Sequence, residues 1–563
     1  MEEVSSLAKR ERIFVAIVLA AYLVCSIPMF NIYIGNPDTA SYIAVAQKYA
    51  AGNFKDAING YWSPLFSWLM VPLLALKINA VVAAKVVSVL SGLLLVIGAY
   101  RLSFRFRLTS TFRAMIPLIV APVILIDHVF VHVGPDMLVA ALLLFYLTVL
   151  FDPNYMARKH AGTLCAVLGA LAFLAKLYAF FFFVAHFLLV HAVLYLRSPR
   201  GSVRKRVAVR AASAVLVFAL LCVPWTAALS LKYGKITTGT ASKLNIYLHG
   251  PQADLGQPQA YVGLLPPPNP TAIFTWEDPS NNPYILWSPF QSAWDFRYWL
   301  DIVRNVLKEF WRILNEWSVL SWPILALGAL AAVIEFFRKK RPGVFSAGIA
   351  TVVLYSSGYA ALFVQDRYIL LDFVLIVLLG AVFLQAAFKT RVLSAPILRG
   401  GIIALFALTF LILPNKFLPR HFHNRTRFIV DPNGYSDMQI YQMSQILDRN
   451  FHLRGRIASN TNIGTTLFIA YYLDLHYYGQ RGAFQTVEEL EASLAKYKID
   501  YFFLWFENPE RYPFLKRYPE LTHGKFPQLR LYDLRQERAV ENSAPRPLFP
   551  PGRPRVVGPG GII

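Results

Sequence analysis

The sequence predicts a polytopic α-helical membrane protein, with about 11 transmembrane helices, juxtamembrane helices and a small extracytoplasmic α/β domain at the C-terminal end. Three observations predict it. Of 563 residues, 56% are hydrophobic and 15% charged. A soluble domain has about 25% charged residues, so this much apolar surface cannot all be hidden in a water-bounded core. The apolar runs alternate with short loops that gather Lys and Arg, the positive-inside pattern. After Asn415 the chain changes to the mixed helix and strand patterns of a globular domain.

Each element follows from charge and length. The run 13–30 comes after Lys9, Arg10 and Arg12 and lacks a small-residue cleavage site. It reads as a retained signal anchor with a cytoplasmic N-terminus. Residues 31–80 form a first external loop with a helix over 39–51. The apolar stretch 64–75 is shorter than the ~17–25 residues of a span. Placed in the outer interface, it lets the run 81–100 deliver Arg101, Arg105, Arg107 and Arg113 to the cytoplasm. The runs 115–130 and 137–151 go out and return.

The run 161–193 is interrupted by Lys176. As one helix it would measure about 50 Å against a ~30 Å hydrocarbon core. As two short spans turning at Lys176, it leaves Arg158, Lys159, Arg197, Arg200, Arg204, Lys205 and Arg206 inside. The run 207–229 leads to a large external loop, 230–316; 319–337 returns to Arg338, Lys339, Lys340 and Arg341. The runs 344–364, 368–388 (ending at Lys389 and Arg391) and 400–413 complete a transmembrane module of residues 1–414.

Residues 415–536 read as the external α/β domain, with helices over 436–450 and 486–498 and strands over 499–506 and 529–534. Thr486 and Glu489 form a capping-box pattern. The tail 537–563, rich in Pro, Gly and Arg, reads as disordered. In the 230–316 loop, Trp276, Trp287, Trp294, Trp299 and Trp311 read as an interfacial aromatic belt in preference to sugar contacts. Pro266, Pro267, Pro268 and the stretch 276–283 read as a mobile cover.

The net charge of +23 does not imply nucleic acid, because no soluble basic domain carries it. Cys25, Cys165 and Cys222 all lie in apolar runs, so no disulfide framework or thiolate metal site is implied.

This topology brings unusual residues to one outer face. Asp38 opens the 39–51 helix and Asp136 opens the fourth span. Asp127, His128 and His132 end the third span. Lys85 lies near the outer start of the second, Lys176 at the outer turn, and Gln365, Asp366 and Arg367 join two late spans. Ionisable groups at membrane depth are costly and call for a functional reason. Simpler readings stand beside each: an N-cap for Asp38, a first-turn acid for Asp136, snorkelling for Lys85, Lys176 and Arg367. His128 and His132 are weak metal candidates, since two ligands do not close a site. Together, acids and cations at a lipid–water boundary suit a substrate with a phosphate head and a lipid tail. The cations would hold the phosphate, and an aspartate would take a proton from the acceptor.

Three motifs carry a family resemblance. They are Asp38-Thr39-Ala40-Ser41-Tyr42 with Trp62-Ser63-Pro64-Leu65-Phe66, then Pro135-Asp136-Met137-Leu138, and Asp366-Arg367-Tyr368-Ile369-Leu370. With Leu174-Ala175-Lys176, they resemble the GT-C glycosyltransferases, in particular the protein O-mannosyltransferase and aminoarabinose transferase (ArnT-like) group. The resemblance implies a cell-envelope enzyme of the inner (plasma) membrane, with its active site and C-terminal domain on the periplasmic or extracellular side. Its donor would be a polyprenyl-phosphate sugar and its acceptor a lipid, glycan or protein, as in lipopolysaccharide or glycan modification. Asp38 would be the general base and Asp136 a supporting acid. Lys85, Arg367 and Lys176 would bind the donor phosphate, and Tyr42, Trp62 and Tyr368 the substrates. Protein mannosyltransferases carry an acidic pair in the first loop, whereas Asp38 is followed by Thr39, which leaves a lipid or glycan acceptor at least as favoured. Some members of the superfamily use a divalent cation; nothing in the sequence demands one. The competing readings are a flippase for lipid-linked glycans and an O-antigen-type polymerase or ligase. A transporter commonly shows paired repeats and a midplane site, whereas this chain reads as asymmetric, with its large loops and terminal domain on one side and its unusual charges at the interface.

Overall fold

The computed structural model describes residues 2–129, 132–255, 258–338, 343–389, 395–415, 435–526 and 528–536. The tail 537–563, the loop basic residues Lys339, Lys340, Arg341 and Arg391, and residues 416–434 at the start of the predicted external domain lie outside them.

The first apolar helix, α1 (Glu2–Ser26), leads through a short loop to α2 (Pro37–Ala50), α3 (Phe54–Ala57) and α4 (Leu65–Ala75). Then come α5 (Ala80–Arg105), α6 (Ser110–Val123), α7 (Asp136–Leu150), α8 (Ala161–Ala175), α9 (Tyr178–Arg197) and α10 (Ser202–Tyr233). The large loop holds α11 (Ala241–His249), α12 (Pro258–Tyr261) and α13 (Ala293–Trp317). The bundle closes with α14 (Ser321–Arg338), α15 (Val344–Ala360), α16 (Leu370–Ala387) and α17 (Pro396–Asn415).

Each predicted span contains a helix among the described residues, and the long run breaks at Lys176, which is extended between α8 and α9. Among the described residues six helical segments are long and apolar enough to cross a membrane, those around α1, α5, α9, α10, α14 and α16. Others, such as α7 and α8 with 15 residues each, are shorter. At about 22 Å they fall short of a ~30 Å core, so their charged ends lie at or below the interface. The chain is a mainly helical, multi-pass membrane protein with a small C-terminal sheet.

The bundle core is a continuous apolar cluster that includes Leu95, Ile116, Leu144, Ala166, Phe183 and Leu375. Small residues allow close approach: the Cβ missing from Gly98 would stand 3.0 Å from Leu144 Cβ. At one end of the bundle, Arg113 clamps Glu11 at 2.6 Å, and Arg105 and Arg158 hold Asp152 at 2.8 and 3.0 Å. These pairs gather α1, the end of α5, the start of α6 and the loop after α7. Asp38, Asp136 and Lys176 therefore belong to the other end.

The 230–316 region differs from the predicted loop. α13 is a 25-residue helix within it, with its apolar and charged residues at helical spacing. After residue 434 the chain forms α18 (Asp437–Phe451), β1 (Arg456–Ser459), α19 (Ile463–Leu473), β2 (His476–Gln480), α20 (Val487–Lys496), β3 (Tyr501–Trp505) and β4 (Leu529–Asp533). The capping box at α20 is formed, with Thr486 and Glu489 bonding reciprocally at 3.2 and 2.9 Å. The sheet order is β2-β1-β3-β4, with β1 parallel to β2 and β3, and β4 antiparallel to β3.

The outer side of β2 is covered by the large loop: Tyr477 N donates to Ile273 O at 2.6 Å and Leu265 N to Tyr478 O at 2.8 Å. That cover protects an otherwise open sheet edge. A second apolar cluster runs from α2, α4 and the start of α5 (Ile43, Phe66, Ala84) into the sheet domain (Phe468, Phe503, Trp505).

Candidate active site

Asn36 caps α2 by accepting from Asp38 N at 2.8 Å, and Pro37 supplies a preset first-turn φ. Asp38 thus stands in the first turn, where the helix dipole favours a negative charge. Thr39 Oγ1 donates to Val133 O at 2.7 Å, tying this turn to the loop before α7. Asp136 begins α7 on the same side. Lys176 projects from the break between α8 and α9, and Arg367 from the helical turn Asp366–Ile369 before α16.

These four side chains meet. Arg367 Nη2 lies 3.4 Å from Asp38 Oδ2, and Arg367 Nε lies 3.9 Å from Asp136 Oδ2. Lys176 pairs with Asp136 Oδ1 and stands 3.6 Å above the Tyr368 ring. Gln365 accepts from Arg367 Nε at 2.9 Å, fixing the guanidinium plane. The Asp38 side chain is 28% exposed, against 10% for Asp136. Asp38 is therefore the more open of the two acids and Asp136 the enclosed anchor for both cations.

An aromatic wall backs Asp38. Trp276 Nε1 donates to Asp38 Oδ1 at 3.1 Å. Trp276 packs on Tyr61 and Trp62, with centroids 5.6 and 5.8 Å away. Its carbonyl accepts from Trp62 Nε1 at 3.0 Å and from Ser41 Oγ at 3.1 Å. Burial pushes the phenols of Tyr42 and Tyr61 up, and the nearby carboxylates add to this, so both remain neutral hydroxyls.

The stretch 276–283, expected as a mobile cover, is packed into the structure. Glu277, Asp278 and Ser280 are buried, Glu277 pairs with Lys48, and Asp278 takes Lys232 at 3.1 Å. Apolar packing and paired charges fix the segment that carries Trp276. For that tryptophan the belt reading is replaced by a direct contact with the acid.

Lys85 is not drawn into the cluster. Its ammonium donates to Asn31 O, Asn31 Oδ1 and Tyr33 O at 3.0, 2.6 and 2.9 Å, anchoring the loop before α2. Tyr42 and Trp62 are each only 5% exposed and stand behind the site, 5.0 Å apart at their centroids. Tyr368 lies beneath Lys176 and stacks on Tyr359. His128 is buried, and the Nδ1 atoms of His128 and His132 have no hydrogen-bond partner. Among the described residues no group of three or more His, Cys, Asp or Glu is placed to hold a metal.

Missed by the sequence were Trp276 as a partner of Asp38 and the Lys48–Glu277 pair. The signal was present in Trp276-Glu277-Asp278, an aromatic and two acids in a loop otherwise poor in reasons for them.

No sequence-family model matches the chain, and no curated protein matches it. Solved structures do. ArnT from Cupriavidus metallidurans bound to undecaprenyl phosphate aligns over 92% of this chain and 97% of its own, at TM-score 0.54 and 13% identity. Its apo form gives the same coverage at TM-score 0.53. The Archaeoglobus fulgidus oligosaccharyltransferase, in complex with Zn and sulfate, aligns over 87% of this chain and 68% of its own, at TM-score 0.51 and 11% identity. The fold is that of the GT-C glycosyltransferases. The ArnT-like resemblance read from the three motifs agrees with that architecture along nearly the whole chain. On this GT-C scaffold the acids and cations fall at one end of the bundle, beneath the sheet domain and its loop.

Proposed function

We propose that this protein is an integral-membrane glycosyltransferase that takes a sugar from a polyprenyl-phosphate carrier and gives it to a hydroxyl or amine of an extracytoplasmic lipid, glycan or protein. The single observation behind the reading is the Asp38–Arg367–Asp136–Lys176 cluster, set against an aromatic wall on a GT-C fold. The carrier class is supported by the match to ArnT, which was solved with undecaprenyl phosphate.

Arg367 and Lys176 hold the carrier phosphate, and Asp136 keeps both cations in place. Asp38 accepts the proton of the acceptor as its oxygen or nitrogen bonds to the anomeric carbon. The sugar–oxygen bond to the phosphate breaks, and its electron pair leaves on the polyprenyl phosphate, where the two cations stabilise it. Tyr42 and Trp62 support Trp276 from behind, and Tyr368 seats Lys176. Lys85 has no part in phosphate binding. The site faces away from the cytoplasm of the inner (plasma) membrane, since Arg105, Arg113 and Arg158 mark the opposite end of the bundle.

The test is turnover by purified protein in nanodiscs with labelled polyprenyl-phosphate sugars and envelope lipid or glycan acceptors. Asp38→Asn is expected to fold normally and to lose about 10²–10⁴-fold in kcat. Wild-type-level turnover in that variant would remove Asp38 as the base.

A further inference from the structure

The same helix that presents Asp38 forms, at its far end, one wall of a second cleft of about 540 Å³. The cleft lies between α2, the start of α5, the loop around Thr271 and the sheet domain. Asp38 and Lys48 are ten residues apart on one helix, so the cleft lies about 15 Å from the reacting carboxylate. The volume is within the roughly 300–1,000 Å³ of small-molecule sites.

Its chemistry is specific. Tyr471 and Tyr441 supply aromatic surface, and Gln47, Asn79 and Asp474 supply donors and acceptors. Gln47 and Asp474 are exposed. Asn79 caps α5 through its side-chain oxygen, and its amide N–H groups have no protein acceptor among the described residues. The one cation of the lining, Lys48, is neutralised by Glu277. A phosphate or carboxylate ligand would therefore meet no free positive charge, only Asp474. Aromatic faces, amides and a carboxylate without a free cation suit a neutral polyhydroxylated ring.

We infer that this cleft is a carbohydrate subsite, which binds a sugar residue of the acceptor away from the point of transfer. The inference rests on the glycosyltransferase reading for the word acceptor, but not for the binding itself. The cleft is also joined to the active site. Ile273, in its wall, donates its N–H to Glu277 Oε1 at 2.6 Å, and Glu277 adjoins Trp276, which holds Asp38. An occupied cleft therefore braces the segment that orients the base.

The experiment is saccharide binding to the full-length protein in nanodiscs, by saturation-transfer NMR and calorimetry. The probes are maltotriose, mannotriose and N,N′,N″-triacetylchitotriose, with a tri-lysine peptide and inorganic phosphate as controls. At least one trisaccharide is expected to bind. Tyr471→Ala and Gln47→Ala are each expected to weaken it by about tenfold, and Asp38→Asn to leave it unchanged. Asp474→Asn, an exposed and conservative change, serves as the variant least able to disturb folding and is expected to weaken binding as well. No saccharide binding, binding indifferent to all three cleft variants, or preference for the peptide or phosphate would overturn the inference. Saccharide binding in a protein that fails the turnover test would remove the transferase reading and leave the cleft.

Discussion

Arg367 stands between two carboxylates, 3.4 Å from Asp38 and 3.9 Å from Asp136. One guanidinium cannot neutralise both, so in the proposed reaction an arriving phosphate would draw it from Asp38 and free that acid to take a proton. Trp276 would then be the remaining orienting contact of the proposed base, through its 3.1 Å bond to Oδ1. Trp276→Phe keeps an aromatic ring against Tyr61 and Trp62 but deletes the donor. Hydrogen bonds to charged groups contribute about 1.5–3 kcal/mol. We expect kcat to fall about tenfold or more, with KM for the donor and the melting temperature little changed. Steady-state kinetics beside a thermal scan check this, and an unchanged kcat would show that Trp276 only packs. The carboxylate of Asp38 was legible in the sequence because an acid at a span's exit is conspicuous. Its tryptophan was not, because the two are 238 residues apart.

At the scale of single elements, Lys85 separates two ideas about α5. Its depth near the start of the helix suggested a phosphate contact, yet its side chain closes the loop of Asn31 and Tyr33. Lys85→Met would leave those oxygens without their donor, at a cost of about 1–3 kcal/mol. The expected result is a lower melting temperature in detergent, with KM for the polyprenyl-phosphate sugar unchanged in the folded fraction. A KM rise without destabilisation would return Lys85 to the donor site. The break at Lys176 was readable because a thirty-residue apolar run exceeds a bilayer. α13 carries the same kind of signal, since its charges and aromatics follow a helical period, but the prolines and glycines elsewhere in 230–316 suggested only loop. β1 and β2 are 4 and 5 residues long and carry too little pattern to stand out.

For the whole molecule, the sheet domain bears on the active-site loop. Asp437, first residue of α18, faces Lys85, and a Cβ at Gly35 would collide with its carboxylate. Burial raises Asp437 to about 6, against the pull of Lys85, and its Oδ1 has no hydrogen-bond partner. A carboxyl raised in the folded state stabilises below its unfolded value near 4, and that contribution is lost as pH rises through about 6. The melting temperature should therefore fall between about pH 4 and 6 through this group. Asp437→Asn should flatten that window and stabilise the protein at pH 7 by at most about 3 kcal/mol. Thermal scans of both proteins across that range decide it; an identical pH slope would show that Asp437 does not titrate against the fold.

By itself the sequence determined the membrane class, the position of the apolar helices of the transmembrane module along the chain, and the points at which Asp38, Asp136, Lys176 and Arg367 interrupt the apolar pattern. Those are one-dimensional properties, set by hydropathy, length and charge parity. Only the tertiary structure decided which way each side chain faces around its helix, and so which charges meet. That choice put Lys85 under the loop of residues 31–33, put Trp276 on Asp38, and opened the Lys48 cleft between modules. Its physical cause is the packing of helices and sheet against one another, which fixes rotation about each axis and which no local pattern encodes.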